Sequence, residues 1–299
     1  MIKPIDRICV IQNPVAGWRS EHEVNKLLQL LESKKTILTI TKTECTGHAE
    51  LLAQEACQEG VDLIVVIGGD GTISEVVNGM IHFQNGERRP MPALAIYPSG
   101  TTNLVAMELG ISKEPDRFIE TLFSGQHRTI WPAKVNDKYF IAVVGVGFDA
   151  HIVGGVTSRH KEIFSKLAYL FQTFLLVFHG WNQKYKIQID QSSYYAASAI
   201  IINSRYYGGK YSLIPQASLT SPDIYVCLFQ RCRRRDLLSY LLYFLNGKLH
   251  KHKDVKIVSG NMVKLEGLGE PKIQIDGDAI SDNLPIKISR GNTSLNIIA

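Results

Sequence analysis

The sequence has no CxxC pair, no apolar leader, no membrane-spanning run, no internal repeat and no low-complexity stretch. Its five cysteines, Cys9, Cys45, Cys57, Cys227 and Cys232, are scattered. That spacing argues against a zinc site and against a disulfide framework, so the reduced thiols of a cytoplasmic protein are expected. Residues 1–7 lack the apolar core and small-residue cleavage site of a secretory leader, and Ile8-Cys9-Val10-Ile11 follows at once as a strand. The longest apolar stretch, 163–181, is broken by Ser165, Lys166, Gln172 and His179. It reads as an amphipathic or core helix over 160–179 rather than a bilayer span. Two familiar phosphate signatures are also missing: there is no Gly-x4-Gly-Lys-Ser/Thr loop, and the G-x-G-x-x-G fingerprint is absent from the main glycine turn.

What is present is a chain of 299 residues, 45% hydrophobic, enough for one large domain or two ordinary ones. With 20% charged residues it shows no sign of wholesale disorder. A net charge of +5 suits an anionic partner without naming it. The most informative stretch is Gly68-Gly69-Asp70-Gly71-Thr72. Before it, 61–67 is a nearly continuous apolar run rich in β-branched residues, the pattern of a strand buried on both faces. After it, Ile73, Val76, Val77 and Met80 follow helical spacing. A strand, a glycine turn and a helix start aim backbone N–H groups and a helix dipole at an anion. A carboxylate in such a place is repelled by phosphate unless a cation sits between them, so Asp70 suggests a nucleotide carrying Mg²⁺. Alone, the same five residues also fit a generic tight turn.

Over 1–130 strand and helix patterns alternate: strands at 7–12, 37–41, 62–67 and 93–97, helices at 21–31, 48–59, 73–81 and 102–109. This predicts an open, mostly parallel sheet with helices on both faces and ligands at the carboxyl ends of its strands. From about 129 onward short strand candidates follow one another, at 129–136, 139–145, 184–191, 194–203, 223–230, 254–259, 261–266, 272–276 and 285–289. Helices are expected at 160–179 and 234–247, and a mainly antiparallel β domain is the natural reading. A ligand cleft between the two halves is expected. Three further turns end strands of the first half and carry hydroxyls, amides or flexible backbone: 13–17, 43–49 and 98–103. Each alone fits a plain turn; four converging on one sheet edge favour a phosphate site.

These motifs resemble the diacylglycerol kinase catalytic-domain family, in its bacterial soluble lipid kinase branch. The matches are Asn13-Pro14-x-Ala16-Gly17, Thr43-x-x-x-Gly47-His48-Ala49, and Gly68–Thr72 with Ile73-Ser74-Glu75-Val76-Val77-Asn78-Gly79. They continue through Pro98-x-Gly100-Thr101-x-Asn103-x-x-Ala106, Gly145-x-Gly147-Phe148-Asp149-Ala150, Gly208-Gly209-Lys210 with Pro215-x-Ala217, and Asp276-Gly277-Asp278. The resemblance implies an α/β nucleotide-binding domain over 1–130, to which 291–299 return, and a β-sandwich lipid-substrate domain over 131–290. It implies an ATP-dependent kinase that transfers the γ-phosphate to a lipid alcohol, diacylglycerol or a relative. It also implies that Asn13, Thr43, Gly68, Gly69, Asp70, Gly71, Thr72 and Thr101 hold ATP, with Mg²⁺ reaching Asp70 through the nucleotide.

Asp278 stands where the family usually has Glu and, by the resemblance, carries the general base; Asp is shorter by about 1.5 Å, one C–C bond. Asp276-Gly277 is equally a hairpin turn, and a turn can present a carboxylate. After Pro215-x-Ala217, where relatives often carry an acidic loop, 218–223 hold one carboxylate, Asp223, too few oxygens for a second hard cation. Arg231, Arg233, Arg234, Arg235 and the basic residues of 248–256 fit either an anionic membrane surface or a solvated face. The helix near 164–171 fits either an acyl-chain cover or ordinary packing. Nucleic acid is not expected as a partner, since no recognition motif is present. A cytoplasmic enzyme peripheral to the membrane is expected, with a homodimer left open. An NAD kinase-like enzyme, which would share the glycine turn, and a catalytically silent lipid- or nucleotide-binding module are the alternatives.

Overall fold

The computed structural model describes residues 5–16, 21–86, 90–124, 126–148, 150, 184–266, 273–280 and 285–299. The helix expected over 160–179, including its 164–171 segment, and Asp149 lie outside the described residues. The chain divides into two compact units, Met1–Trp131 with Thr293–Ala299, and Pro132–Asn292.

The first unit runs β1 (Arg7–Gln12), α1 (Glu21–Glu32), β2 (Ile37–Lys42), α2 (His48–Gln58), β3 (Leu63–Gly68), α3 (Asp70–Gly86), β4 (Ala93–Pro98), α4 (Leu104–Leu109), α5 (Pro115–Ser124) and β5 (His127–Ile130). Its sheet has the order β2-β1-β3-β4, then the C-terminal strand Leu295–Ile298, then β5. All neighbours are parallel except the last pair. Every residue of β3 is buried, as a strand covered on both faces requires. One face is packed by Val24, Leu27 and Leu31 of α1 and by Phe118, Ile119 and Leu122 of α5. Helix α5 has no counterpart in the sequence reading. Its signal was Pro115 in the first turn, followed by that apolar spacing.

Helix α3 begins three residues earlier than the apolar period indicates, at Asp70. The glycine motif is therefore mostly the first helical turn and not a loop before it. The strand expected over 129–136 is two strands. Trp131-Pro132 interrupts it, since proline has no N–H for a ladder, and β5 joins the first sheet while β6 (Ala133–Val135) joins another.

The second unit continues with β7 (Lys138–Phe140), β8 (Val143–Val146), β9 (Tyr185–Ile189), β10 (Ser192–Ala196), β11 (Ser198–Ile202), β12 (Tyr206–Tyr207), β13 (Tyr211–Ser212), β14 (Ile224–Phe229) and α6 (Arg234–Leu245). Then follow β15 (Val255–Gly260), β16 (Met262–Glu266), β17 (Ile273–Ile275), β18 (Asp278–Ile280) and β19 (Ile286–Ser289), and the C-terminal strand is β20. Two six-stranded sheets form, β10-β9-β16-β19-β6-β7 and β15-β14-β11-β8-β17-β18. Their strands pair antiparallel. Ile187, Val263 and Ile288 of the first pack with Val144, Ile201 and Val226 of the second in one core, a β-sandwich. The alternating burial of β9 matches a sheet with one wet face. β11 is buried throughout.

Candidate active site

In the order β2-β1-β3-β4 the chain leaves β1 for one side and returns across it to β3. Right-handed crossovers then put α1 and α2 on opposite faces, and the carboxyl ends of β1 and β3 diverge into a crevice. Asn13 follows β1 and Gly69 follows β3, so the first and third motifs flank that point.

Hydrogen bonds lace the turns together. The Asn13 backbone N–H donates to Ile67 O at 2.9 Å. Its Nδ2 donates to Thr72 Oγ1 at 2.9 Å, and its Oδ1 accepts from the Val15 N–H at 3.1 Å. The Thr43 N–H donates to Gln12 O at 2.9 Å, and the Ser99 N–H to Gly68 O at 3.1 Å. Gly69 and Gly100 touch backbone to backbone: a Cβ on Gly100 would lie 2.5 Å from Gly69 Cα and 2.9 Å from Asn103 Oδ1. Asn103, in the left-handed region at φ 54°, closes this turn by accepting from the Gly100 N–H at 2.9 Å. Gly100→Ala must push the β3 and β4 turns apart. The expected cost is about 1–3 kcal/mol of overpacking, and displacing the site should lower kcat/KM for ATP by about 10²-fold. Thermal unfolding and initial rates of the variant measure the two effects.

Three helices, α2, α3 and α4, start at this edge, and each start leaves unpaired N–H groups. Two of the three are capped by carboxylates from α3. Glu75 accepts from the Gly47 N–H at 2.8 Å and the Ala49 N–H at 3.2 Å, closing α2. Asp70 accepts from the Leu104 N–H at 3.0 Å and the Val105 N–H at 3.3 Å, closing α4. Burial pushes the Asp70 carboxyl above the usual carboxylate range, opposed by the N–H groups of Leu104, Val105 and Asn103. The partner that Asp70 holds within the protein is thus the start of a neighbouring helix. The first turn of α3 itself is left open: no backbone acceptor takes the N–H groups of Asp70, Gly71 and Thr72 among the described residues. This 17-residue helix brings the positive end of its dipole to the switch point.

Other polar groups at this edge are also unclaimed. The Thr43 and Thr101 hydroxyls make no hydrogen bond with the described residues, and Thr101 is exposed. Ser99 Oγ and Gln12 Oε1 are buried without partners among the described residues. Such atoms cost about 1–3 kcal/mol each when nothing binds them, so at a sheet edge they call for a ligand or water. Sequence reasoning missed Gln12 and Ser99. The signal for Gln12 was a polar side chain ending an apolar strand, and for Ser99 a hydroxyl inside an already flagged turn.

In the second unit Ile275 pairs with Asp278 across a two-residue loop. Asp276 and Gly277 both have positive φ, 48° and 94°, which defines a type I′ turn. The Asp276 carboxylate accepts from the N–H groups of Ile141, Ala142 and Val143 at 2.8, 2.8 and 2.9 Å. The Gly277 N–H donates to Gln274 Oε1 at 2.8 Å. Two residues on, Asp278 is exposed at the start of β18. One aspartate therefore builds the turn and the other is displayed by it. In 218–223 hydroxyls bond within the loop, with Ser218 Oγ 2.9 Å from Thr220 Oγ1 and Ser221 Oγ donating to Asp223 Oδ2 at 2.9 Å. No group of three or more His, Cys, Asp or Glu stands close enough to hold a metal among the described residues. No helix of these residues is long and apolar enough to cross a membrane.

A switch-point crevice with an open helix start, in a chain that also carries a β-sandwich, is an arrangement in which α/β folds take phosphate-bearing ligands. Residues 7–135 match the diacylglycerol kinase catalytic domain, and 142–299 match the YegS C-terminal NAD kinase beta sandwich-like domain. The chain is 27% identical over 276 residues to a diacylglycerol kinase of Bacillus subtilis (strain 168), covering 91% of this chain and 89% of that one. It is 24% identical over 277 residues to a diacylglycerol kinase of Staphylococcus aureus (strain bovine RF122 / ET3-1), covering 91% and 86%. A crystal structure of a diacylglycerol kinase from Bacillus anthracis str. Sterne superposes with a TM-score of 0.74 at 22% identity, covering 98% and 96%, and so shares the fold. The chain belongs to the diacylglycerol kinase catalytic-domain family, in the branch that carries this C-terminal domain, and is a lipid kinase.

Proposed function

We propose that the enzyme transfers the γ-phosphate of ATP to the hydroxyl of diacylglycerol or a related lipid alcohol, acting in the cytoplasm at the membrane surface. The observation that carries the nucleotide side is the open first turn of α3 beside two neighbours whose starts are already capped. Phosphates would accept from the N–H groups of Asp70, Gly71 and Thr72, with Gly68 and Gly69 allowing close approach. Asn13 fixes Thr72, and the free hydroxyls of Thr43 and Thr101 would hold the rest of the nucleotide. In this reading 1–130 with 291–299 take the nucleotide and 131–290 take the lipid.

A divalent cation needs a donor set that fits it. One carboxylate with two N–H bonds keeps a lone pair on each oxygen. Mg²⁺ usually sits on one or two carboxylates plus phosphates and water. Asp70 therefore fits a Mg²⁺ brought by the nucleotide, where the ion would neutralise phosphate charge. In the second domain, Asp278 is proposed to take the proton of the acceptor hydroxyl as its oxygen attacks phosphorus. Asp276 keeps the turn that displays it.

The direct test is transfer of radiolabelled γ-phosphate from ATP into a total lipid extract and, separately, into NAD. Labelled lipid with unlabelled NAD is expected, and the reverse would overturn the reading in favour of the NAD kinase-like one. ATP binding without turnover on any lipid would identify a silent module. Asp70→Asn should keep one of the two α4 bonds while losing the charge. Its expected effects are a fall in kcat of about 10²-fold and a drop in Tm of about 2–4 °C. Wild-type kcat in the purified variant would remove Asp70 from the chemistry.

A further inference from the structure

Helix α6 is apolar on both sides, but only one side has a partner among the described residues. Inward, Leu237 and Tyr240 are buried, and the Tyr240 hydroxyl donates to Arg231 O at 2.7 Å. The Tyr240 ring lies 5.1 Å from Phe229, and the Phe244 ring lies 4.7 Å from Tyr211. Those contacts fix which face points away. Leu238, Leu242 and Leu245, at i, i+4 and i+7, form the opposite stripe and are 49, 54 and 43% exposed. Exposed Arg234 and Arg235 stand one turn before Leu238 on the same side, and this stripe carries no carboxylate. The one acid of the helix, Asp236, accepts from the Arg233 N–H at 3.0 Å.

Charge selects what covers this stripe. Residues 231–256 contain more Lys and Arg than the two acids among them, Asp236 and Asp254, can balance. Arg233, Arg234 and Arg235 precede the leucines, and exposed Lys248, Lys251 and Lys253 follow them. A second copy laid stripe to stripe would press like charges together. An interface of anionic headgroups over acyl chains matches both parts, the basic ends and the leucine middle. We propose that α6 is the docking element of this enzyme, with Leu238, Leu242 and Leu245 entering an anionic bilayer and the flanking Arg and Lys residues on its headgroups. This rests on the acceptor being a membrane lipid.

The experiment measures binding of the purified full chain to vesicles of phosphatidylcholine with phosphatidylglycerol in equal parts, and to vesicles of phosphatidylcholine alone. Tight, salt-sensitive binding is expected only to the first. The pair Leu238→Gln with Leu242→Gln, and separately the pair Arg234→Gln with Arg235→Gln, should each weaken it by about tenfold or more. Leu242→Trp should add indole fluorescence that brominated lipid quenches. Undiminished binding of both pairs, or an added indole signal that stays unquenched in vesicle-bound protein, overturns the proposal. So does unchanged vesicle binding with a shift from dimer to monomer, which would make the stripe a contact between copies. Phosphorylation of a short-chain diacylglycerol dissolved as monomers should be equal in wild type and variants. Its absence in wild type would remove diacylglycerol as the acceptor and leave another lipid alcohol, while vesicle binding still reports on α6.

Discussion

Asp278→Ala is expected to lower kcat for lipid phosphorylation by about 10²–10⁴-fold, the usual contribution of a positioned general base. The fold should be kept, because Asp278 is exposed at the first residue of β18 and the carboxylate that ties the turn to the β7–β8 bend is that of Asp276. ATP affinity should also hold, since the open turn of α3 lies in the other unit. Asp278→Glu is the matching control. It restores the carboxylate that the resemblance associates with this position and should keep activity within about tenfold of wild type. Steady-state kinetics with saturating ATP, beside a thermal melt, measures the outcome. A fully active Asp278→Ala protein would move the base elsewhere.

Asp276→Ala, two residues away, is expected to do the opposite kind of damage. Its carboxylate is the acceptor for three consecutive N–H groups, those of Ile141, Ala142 and Val143. Alanine leaves all three without that acceptor at about 1–3 kcal/mol each, a loss of about 3 kcal/mol or more and a Tm lower by about 6–12 °C. The turn also loses an aspartate that tolerates φ 48°. Activity should fall along with the fold, and lowering the assay temperature should recover part of it. Calorimetry of the variant beside Asp278→Ala separates the two aspartates: one changes rate without melting, the other changes melting first. A wild-type Tm for Asp276→Ala would mean the three bonds contribute nothing net.

The strands and most helices were legible because burial writes a period into sequence. The run 61–67 could only be a strand covered on both faces, and 1–130 alternated as parallel sheets do. Helix α5 follows Gly110 and Ser112 in a stretch that reads as a connection, although Pro115 in its first turn and its apolar spacing were there. Trp131-Pro132 was visible as residues but not as the place where one strand becomes two in different sheets. The period located the helix after the glycine motif and missed its start, since Gly and Asp carry no apolar signal.

The same holds at the site. Sequence by itself determined that Gly68–Thr72 joins a buried strand to a helix, that its partner turns end neighbouring strands, and that Asp276-Gly277 fits a turn. Each follows from local spacing and from which residues accept positive φ. Tertiary structure alone decided what the carboxylates hold. Asp70 reaches 34 residues along the chain to α4, Glu75 reaches back to α2, and Asp276 reaches 135 residues back to the β7–β8 bend. The physical reason is that an unpaired N–H group, at a helix start or in a bend, donates to any carboxylate the fold delivers, and no local pattern records which one arrives. The outward leucines of α6 are the same case: hydrophobicity was in the sequence, but the side left bare was fixed only when Tyr240 and Phe244 took the other.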